Sequence, residues 1–145
     1  EMVEAVGQQY WPDFLDCIAR NLKPGGRAAL QYICIADDIF EQYAASADFI
    51  QTYIFPGGML PSHEALTKEI NGQGLTLEGR EFFGLSYAKT LAQWRERFSA
   101  AWPRIAKLGF DQRFRRMWLF YLCYCEGGFR TGRIDVGHFL ISKSA

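Results

Sequence analysis

The sequence lacks the features that identify several large classes of protein. No apolar run in its 145 residues approaches the roughly 20 residues that a membrane-spanning helix needs. The formal net charge is +0, whereas proteins that bind nucleic acid electrostatically usually carry a basic surplus. No secretory signal is present, and the first residue is Glu1 rather than methionine, so we expect a chain cut from a longer protein.

The sequence also has few residues suited to binding metals or forming disulfides. Its four cysteines, Cys17, Cys34, Cys123 and Cys125, lie in apolar contexts, so we expect free, buried thiols in a reducing compartment. Cys123 and Cys125 have no second pair and no histidine at a ligand spacing, so we predict no metal site. The two histidines lie far apart, with no obvious nucleophile beside them.

Apolar residues are plentiful and are arranged in periodic segments. They make up 49% of the chain, enough for one hydrophobic core. Spacings of three and four predict helices, and β-rich or alternating runs predict strands. The predicted helices are 11–22, an irregular segment 37–53, 63–70 capped by Ser62, 87–107 kinked or split at Pro103, and 111–125 capped by Asp111 and stopped by Gly127-Gly128. The predicted strands are 27–35, 75–83 and 134–142.

This order of elements predicts an α/β fold with an incomplete sheet. About three strands are present, whereas a doubly wound fold usually has five or six. A glycine-rich turn that lets backbone approach a nucleotide cofactor follows a strand, but "PGGR" at 24–27 follows a helix and precedes a strand. We therefore expect residues 1–145 to form a single part, the second half of an α/β domain.

The segment 51–62, "QTYIFPGGMLPS", combines apolar side chains with turn residues. Proline at 56 pushes Phe55 out of the helical region, and Gly57-Gly58 permits a tight reversal with positive φ. Two interpretations remain open for this loop. It forms the wall of an apolar binding site, or it is a buried crossover that packs the core.

Segments along essentially the whole chain resemble the C-terminal part of cyclopropane-fatty-acyl-phospholipid synthases, which are S-adenosylmethionine-dependent methyltransferases. The segments are "EMVEAVG" at 1–7, "LKPGGRAALQ" at 22–31, "FIQTYIFPGGMLPS" at 49–62, "YAKTLAQWRERF" at 87–98, "FDQRFRRMWLFYLCYCEGGFR" at 110–130 and "IDVGHFLIS" at 134–142. The resemblance implies the C-terminal half of a Rossmann-like class I methyltransferase fold. It also implies that the N-terminal half, with most of the S-adenosylmethionine site, is absent from this chain.

The resemblance implies a reaction on lipid. The family transfers the methyl group of S-adenosylmethionine to a cis double bond of a phospholipid acyl chain, which gives a carbocation. A bicarbonate ion, acting as the base, then removes a proton from the new methyl group, and the cyclopropane ring closes. We accordingly expect a cytoplasmic enzyme, peripheral to the inner face of the membrane, whose partner is an unsaturated phospholipid.

The resemblance assigns the family's bicarbonate-binding residues to individual positions of this chain. Its glutamate falls on Glu4, its backbone contact on Ile33 and its tyrosine on Tyr87. Its histidine position is Gln31 here, which still donates and accepts hydrogen bonds but carries no charge. Its cysteine position lies upstream of Glu1. From the residues alone, Glu4 is better explained as a surface carboxylate at a strand-to-helix junction, and Tyr87 is equally well explained as a half-buried ring at a helix start.

The loop supplies the implied substrate site. Apolar side chains and glycines of this loop are expected to line the site of the acyl chain, with aromatic faces beside the carbocation. The substrate-binding candidates are Tyr53, Phe55, Gly57, Gly58 and Met59.

Other functions remain open. The replacement at Gln31 and the missing half favour a non-catalytic lipid-binding or interaction module, or a related lipid methyltransferase without ring closure. The cluster Arg113, Arg115 and Arg116 is a solvated helix face or a contact for anionic lipid head groups. An open sheet edge predicts self-association or a swapped dimer, and we expect this chain alone to be inactive.

Overall fold

The computed structural model describes residues 2–145, which form two compact units. Residues 2–82 and Ile134–Ala145 form the sheet unit, and Phe83–Arg133 forms the helical unit. The helices are α1 (Val3–Val6), α2 (Trp11–Asn21), α3 (Phe40–Ala44), α4 (Phe49–Tyr53), α5 (His63–Gly72), α6 (Gly84–Ala106) and α7 (Gln112–Arg130), with 3₁₀ turns at Gln8–Tyr10 and Asp37–Ile39. The strands are β1 (Arg27–Ile35), β2 (Leu75–Phe82) and β3 (Ile134–Lys143).

The sheet has three strands in the order β1-β3-β2. Both neighbours run antiparallel to β3, and β1 pairs with β3 from Arg27 opposite Ser142 to Ile35 opposite Ile134. The last strand in sequence therefore lies in the middle, where Val136, Phe139 and Ile141 are buried. The predicted α/β fold with a short, open sheet is confirmed, and β1 and β2 are its edge strands.

Aromatic side chains pack tightly at the centre of the sheet unit. Tyr32 and Phe139 are both fully buried and stack with ring centroids 3.8 Å apart. Gly137 lies opposite Tyr32, and a Cβ atom there would approach the Glu81 carbonyl oxygen to 2.7 Å. Only glycine therefore fits at this point of β3. Aliphatic side chains of α2 and α5 complete the core with Leu15, Leu66 and Ile70.

Helices α5 and α7 begin directly after the predicted capping residues. The Ser62 hydroxyl accepts a hydrogen bond from the Ala65 amide at 3.1 Å, and the Asp111 carboxylate accepts one from the Phe114 amide at 2.8 Å. The irregular segment 37–53 separates into a 3₁₀ turn, α3 and α4. A capping box between Asp48 and Gln51 starts α4, which the sequence analysis missed.

One prediction about the helical unit is narrowed and one is corrected. Of the kink or split predicted at Pro103, the split does not occur, because α6 continues to Ala106. Helix α7 does not stop at Gly127-Gly128 and continues to Arg130. Phe129 is buried against Tyr87 of α6, and Arg130 forms an ion pair with Glu126 one turn earlier in the same helix, so these contacts together outweigh the helix-breaking tendency of glycine.

No helix within residues 2–145 combines the length and the apolar character needed to cross a membrane. All four cysteines are free, as predicted. Only Cys34 is buried, however, whereas Cys17 and Cys123 are exposed and Cys125 is half-buried. Burial, with the nearby Asp135 carboxylate, raises the pKa of the Cys34 thiol to about 12, so this thiol fills space in the core and is unreactive.

Candidate functional site

Two of the predicted site residues meet directly at the edge of the sheet. The Glu4 Oε1 atom accepts a hydrogen bond of 2.7 Å from the backbone amide of Ile33, 29 residues later in the chain. The carboxylate thus lies along the edge of β1 that faces away from β3. The loop holds the backbone of Glu4 in place, because the Glu4 carbonyl accepts a hydrogen bond of 2.7 Å from the Met59 amide.

The second oxygen of this carboxylate has no protein partner. Glu4 Oε2 is buried and accepts no hydrogen bond among the residues that the structure describes. A buried carboxylate oxygen normally has a donor, because leaving it without one costs about 1–3 kcal/mol. The geometry therefore offers one fixed, unfilled acceptor for a donor on a small ligand. The Ile33 amide, by contrast, already donates to Glu4 and is not available to a ligand.

Gln31 has a histidine beside it. Gln31 and His138 face each other in the β1–β3 register, and Gln31 Oε1 lies 3.0 Å from His138 Nε2. His138 therefore lies across from the position where the resemblance implies a histidine. The sequence alone did not reveal this pairing, because 107 positions separate the two residues.

Tyr87 belongs to the helical unit. It lies in the first turn of α6, where its ring packs edge-on against Phe129 at 5.2 Å and against Trp94 at 6.1 Å. Its ring is half-buried. These contacts fix the ring on the inner side of the α6–α7 hairpin.

The glycine pair shapes the loop through a tight turn. The Gly58 amide donates to the Phe55 carbonyl at 2.9 Å, and Gly57 has a φ of 81°, which together define a type II turn with Pro56 at its second position. Gly58 is needed for a different reason, since a Cβ atom there would lie 3.1 Å from the Phe55 carbonyl oxygen and 3.4 Å from that of Glu4. The turn is thereby pressed against the segment that carries Glu4.

An open cleft lies beside this turn. Its volume is about 740 Å³. Uncharged residues line it, namely Gly7, Gln8, Gln9, Ala44, Ala45, Ser46, Ala47, Gln51, Gly57, Gly58 and Met59. Three of the five predicted substrate-binding residues, Gly57, Gly58 and Met59, thus share one concave surface.

The two aromatic candidates occupy a different position. Tyr53 and Phe55 are 58% and 57% exposed and do not line the cleft. The Phe55 amide is held by the Ile50 carbonyl at 2.8 Å, so the loop is ordered although its rings reach solvent. The cleft residues that the sequence analysis missed are the small and amide side chains at 7–9 and 44–47, which carry no motif.

Solved structures with little sequence similarity define the class of fold. Phosphoethanolamine N-methyltransferase 2 from Haemonchus contortus, solved with S-adenosyl-L-methionine, matches all of this chain and 32% of that protein with a TM-score of 0.71 at 14% identity. The fold is that of the class I methyltransferases.

Closer relatives define the family. The family model described as mycolic acid cyclopropane synthetase matches residues 1–139, and the chain belongs to this family. The cyclopropane synthase MmaA2 from Mycobacterium tuberculosis superimposes with a TM-score of 0.87 at 27% identity, over 98% of this chain and 53% of that one. The predicted resemblance is confirmed.

Two curated relatives extend the comparison. Tuberculostearic acid methyltransferase UfaA1 from Mycobacterium tuberculosis is 43% identical over 94% of this chain and 32% of its own length. Cyclopropane-fatty-acyl-phospholipid synthase from Escherichia coli is 35% identical over 98% of this chain and 36% of its own. The chain therefore spans about a third of the length of these relatives.

Proposed function

We propose that this chain is the C-terminal part of an enzyme that transfers a one-carbon group from S-adenosylmethionine to a cis double bond of a phospholipid acyl chain. Family membership supports the methyltransferase class. The buried, unfilled oxygen of Glu4 carries the site assignment, because it lies where a proton-carrying ligand would be held. The adjoining cleft is uncharged, as a site for an acyl chain should be.

The residues at the sheet edge suit a bicarbonate ion. Glu4 Oε2 is a fixed acceptor for the hydroxyl hydrogen of such an ion, and the Ile33 amide keeps the carboxylate oriented through its other oxygen. The Gln31 amide adds a neutral hydrogen-bonding group. When bound, bicarbonate supplies the base that accepts a proton from the transferred carbon. The role that the resemblance implies for the Tyr87 hydroxyl, that of a further donor to the ion, stays a prediction.

The loop is proposed to protect the reacting carbon. A carbocation is captured by any nucleophile that reaches it, so its surroundings must exclude water and anions. Residues 49–62 contain no charged side chain. Gly57, Gly58 and Met59 bring this uncharged surface against the segment of Glu4. In this proposal they form the floor of the acyl site, and Tyr53 and Phe55 form its outer rim.

A second candidate is methyl transfer without ring closure. Two observations favour it. Gln31 occupies the position where the resemblance implies a histidine, and a relative at 43% identity is named as a methyltransferase rather than as a cyclopropane synthase. The chemistry shared by both candidates is methyl transfer to an alkene, and they differ only in the fate of the carbocation.

Mass spectrometry of lipids from cells that express the complete protein tests the proposal. Both candidates predict a mass gain of one CH₂ in unsaturated phospholipids. Alkene reactivity is lost only if the ring closes, because a carbocation that loses a proton without closing leaves a branched chain that still contains a double bond. Fragmentation that locates a cyclopropane supports the first candidate, and a methyl branch supports the second. Unmodified lipids would leave only a non-catalytic lipid-binding role.

The variant Glu4→Gln tests the site itself. It keeps the acceptor for the Ile33 amide but replaces the free oxygen with a donor, so we expect a loss of at least about a hundredfold in product formation. Glu64→Gln, at an exposed carboxylate of α5, is the matched control and should leave the rate unchanged. A rate for Glu4→Gln equal to that of the control contradicts the assignment.

A cofactor-binding measurement tests whether most of the S-adenosylmethionine site lies outside these 145 residues. The chain of 145 residues is expected to show no tight binding of S-adenosylmethionine in calorimetry, because the glycine-rich turn of the cofactor site is not among its segments. Tight binding by this chain alone would contradict the proposal that most of the cofactor site lies outside it.

A further inference from the structure

The tip of the α6–α7 hairpin concentrates positive charge. We define the hairpin tip as residues 104–116. It contains five of the chain's 16 basic residues and one of its 16 acidic residues. The basic side chains are Arg104, Lys107, Arg113, Arg115 and Arg116, and all except Arg115 are exposed. A chain of zero net charge thus carries a local surplus of four cations.

This charge is not neutralised within the described residues. The one acidic side chain of the tip, Asp111, already accepts the Phe114 amide as the cap of α7. In the same unit, Arg95 and Arg130 pair with Glu126, but Arg104, Lys107, Arg113 and Arg116 form no ion pair within residues 2–145. The exposed cations are therefore available to an outside anion.

Apolar side chains lie between the basic residues. Leu108 is 77% exposed, more than any other large hydrophobic residue in the described part of the chain, and Phe110 is 44% exposed. Because water disfavours such groups, an exposed leucine between cations suggests a surface that meets both apolar and anionic groups.

The hairpin tip is ordered. The Leu108 amide donates to the Ile105 carbonyl at 3.0 Å, and the Gly109 amide donates to the Ala106 carbonyl at 3.1 Å. Gly109 has a φ of 97°, which reverses the chain and leaves Leu108 at the apex. The Phe110 ring packs on Phe114 at 4.5 Å. Binding would therefore require little ordering of the backbone.

We propose that the hairpin tip is a docking surface for a bilayer that contains anionic phospholipids. Leu108 and Phe110 enter the head-group region, and Arg104, Lys107, Arg113 and Arg116 contact lipid phosphates around them. Charge complementarity identifies the occupant, and the exposed leucine at the apex separates it from an acidic protein or a nucleic acid, which would cover only the cations. Of the two interpretations left open for Arg113, Arg115 and Arg116, the proposal adopts the contact with anionic lipid head groups.

This inference deepens the proposed function, because an enzyme that modifies phospholipid acyl chains must reach them at a membrane. Membrane attachment is thereby a property of the helical unit, whereas the candidate site lies in the sheet unit. Attachment requires neither an alkene in the lipid nor S-adenosylmethionine.

Vesicle co-sedimentation tests the docking surface. The chain is mixed with vesicles of phosphatidylcholine, with or without phosphatidylglycerol, whose acyl chains are saturated and held above their melting temperature. We expect binding that requires phosphatidylglycerol and weakens as salt shortens the Debye length from about 10 Å at 0.1 M to about 3 Å at 1 M. Equal binding to both kinds of vesicle would contradict the proposal.

Matched variants locate the binding. Lys107→Gln with Arg113→Gln should weaken binding about 25-fold, since each cation near an anionic surface contributes about fivefold. Leu108→Ser should weaken it about tenfold. The controls are Lys23→Gln with Lys89→Gln, and Leu85→Ser, which change exposed residues outside the tip and should leave binding unchanged. Circular dichroism verifies that each variant is folded.

The outcomes separate this surface from the proposed function. Equal losses in the tip and control variants, or binding to double-stranded DNA as tight as to vesicles, would overturn the docking surface alone. Vesicle binding as expected, together with unmodified lipids in expressing cells, would confirm the surface and contradict the proposed function.

Discussion

The sheet unit and the helical unit are packed by different means. The sheet unit has a dense core in which Tyr32, Phe139, Leu66 and Ile70 are fully buried. The helical unit has fewer buried side chains, and its rings meet in a chain of half-exposed contacts such as Phe114 with Trp118 at 5.8 Å. Aromatic side chains also pack between the two helices, where Phe98 of α6 meets Phe114 of α7 at 6.3 Å.

Each unit contains a glutamate with buried oxygens, and the two glutamates differ in their hydrogen bonds. Glu126 in the helical unit has both oxygens occupied, one by Arg130 at 2.8 Å and the other by Arg95 at 3.1 Å. These hydrogen bonds, that of Arg130 first, hold the pKa of Glu126 below its usual range. Glu4 in the sheet unit has one oxygen bonded to Ile33 and the other buried without a partner. The two oxygens of Glu126 are thus both used within the protein, whereas Glu4 keeps one oxygen for the proposed ligand.

The largest expected effect tests the packing of the sheet unit. Gly137→Ala places a Cβ atom 2.7 Å from the Glu81 carbonyl oxygen and 3.0 Å from the Phe82 ring. Because backbone on the central strand cannot move aside cheaply, we expect a loss of about 3 kcal/mol in the free energy of unfolding, measured by urea denaturation. Gly79→Ala on β2, where a Cβ atom meets nothing within 4 Å, is the control. If Gly137→Ala lost no more stability than Gly79→Ala, the close packing around Gly137 would be contradicted.

The second largest expected effect distinguishes the stability contribution of Glu126 from that of Glu4. Glu126→Gln removes the charge that two arginines share, and because Arg95 and Arg130 are partly exposed we expect a loss of only about 2 kcal/mol in stability. Glu4→Gln keeps its bond to Ile33 and should change stability by less than about 1 kcal/mol. Thermal unfolding measures both. A larger loss for Glu4→Gln than for Glu126→Gln would make Glu4 a structural residue and remove the basis of the candidate site.

The pH dependence of Glu126 follows from the direction of its pKa shift. Its folded pKa lies below the unfolded value of 4.5, so its stabilising contribution is fully present above that pH and is lost as the pH falls through the folded pKa. The difference in stability between the wild type and Glu126→Gln should therefore shrink in acid. A constant difference would indicate that charge plays no part.

A smaller effect, of opposite sign, tests the packing of the helical unit. Gly127→Ala adds a Cβ atom that meets nothing within 4 Å, in the interior of α7. Alanine is about 1 kcal/mol more favourable than glycine in a helix, so we expect a rise of that size in the free energy of unfolding. The comparison with Gly137→Ala is direct, because the same added methyl group should stabilise one unit and destabilise the other.

The smallest effect concerns His63 in the sheet unit. Burial, and then the neighbouring Arg80, lower the pKa of His63, while Asp37 and Glu64 oppose the shift. The stabilising contribution of the neutral ring is therefore present above the unfolded pKa of 6.5 and lost as the pH falls below it. His63→Gln should flatten the fall in stability below pH 6.5. An unchanged profile, recorded by urea denaturation at several pH values, would show that His63 does not titrate differently on folding.

Local features of the fold were predictable from the residues. The boundaries of the strand 27–35 and the caps at Ser62 and Asp111 agree with the structure, because apolar runs and capping side chains act over a few neighbouring positions. Gly127-Gly128 misled the prediction, because the burial of Phe129 against Tyr87 of α6 comes from outside that window.

The sequence by itself determined the periodic segments, the turn at Phe55–Gly58 and, through its resemblance, the family. Only the tertiary structure placed β3 between β1 and β2, joined Glu4 to Ile33 and brought His138 to Gln31. It also showed that one oxygen of Glu4 is left without a donor while both oxygens of Glu126 are occupied. The physical reason is that local patterns record each residue's preference for water or for a backbone conformation, whereas the partner of a buried polar atom depends on which distant segments the fold brings together.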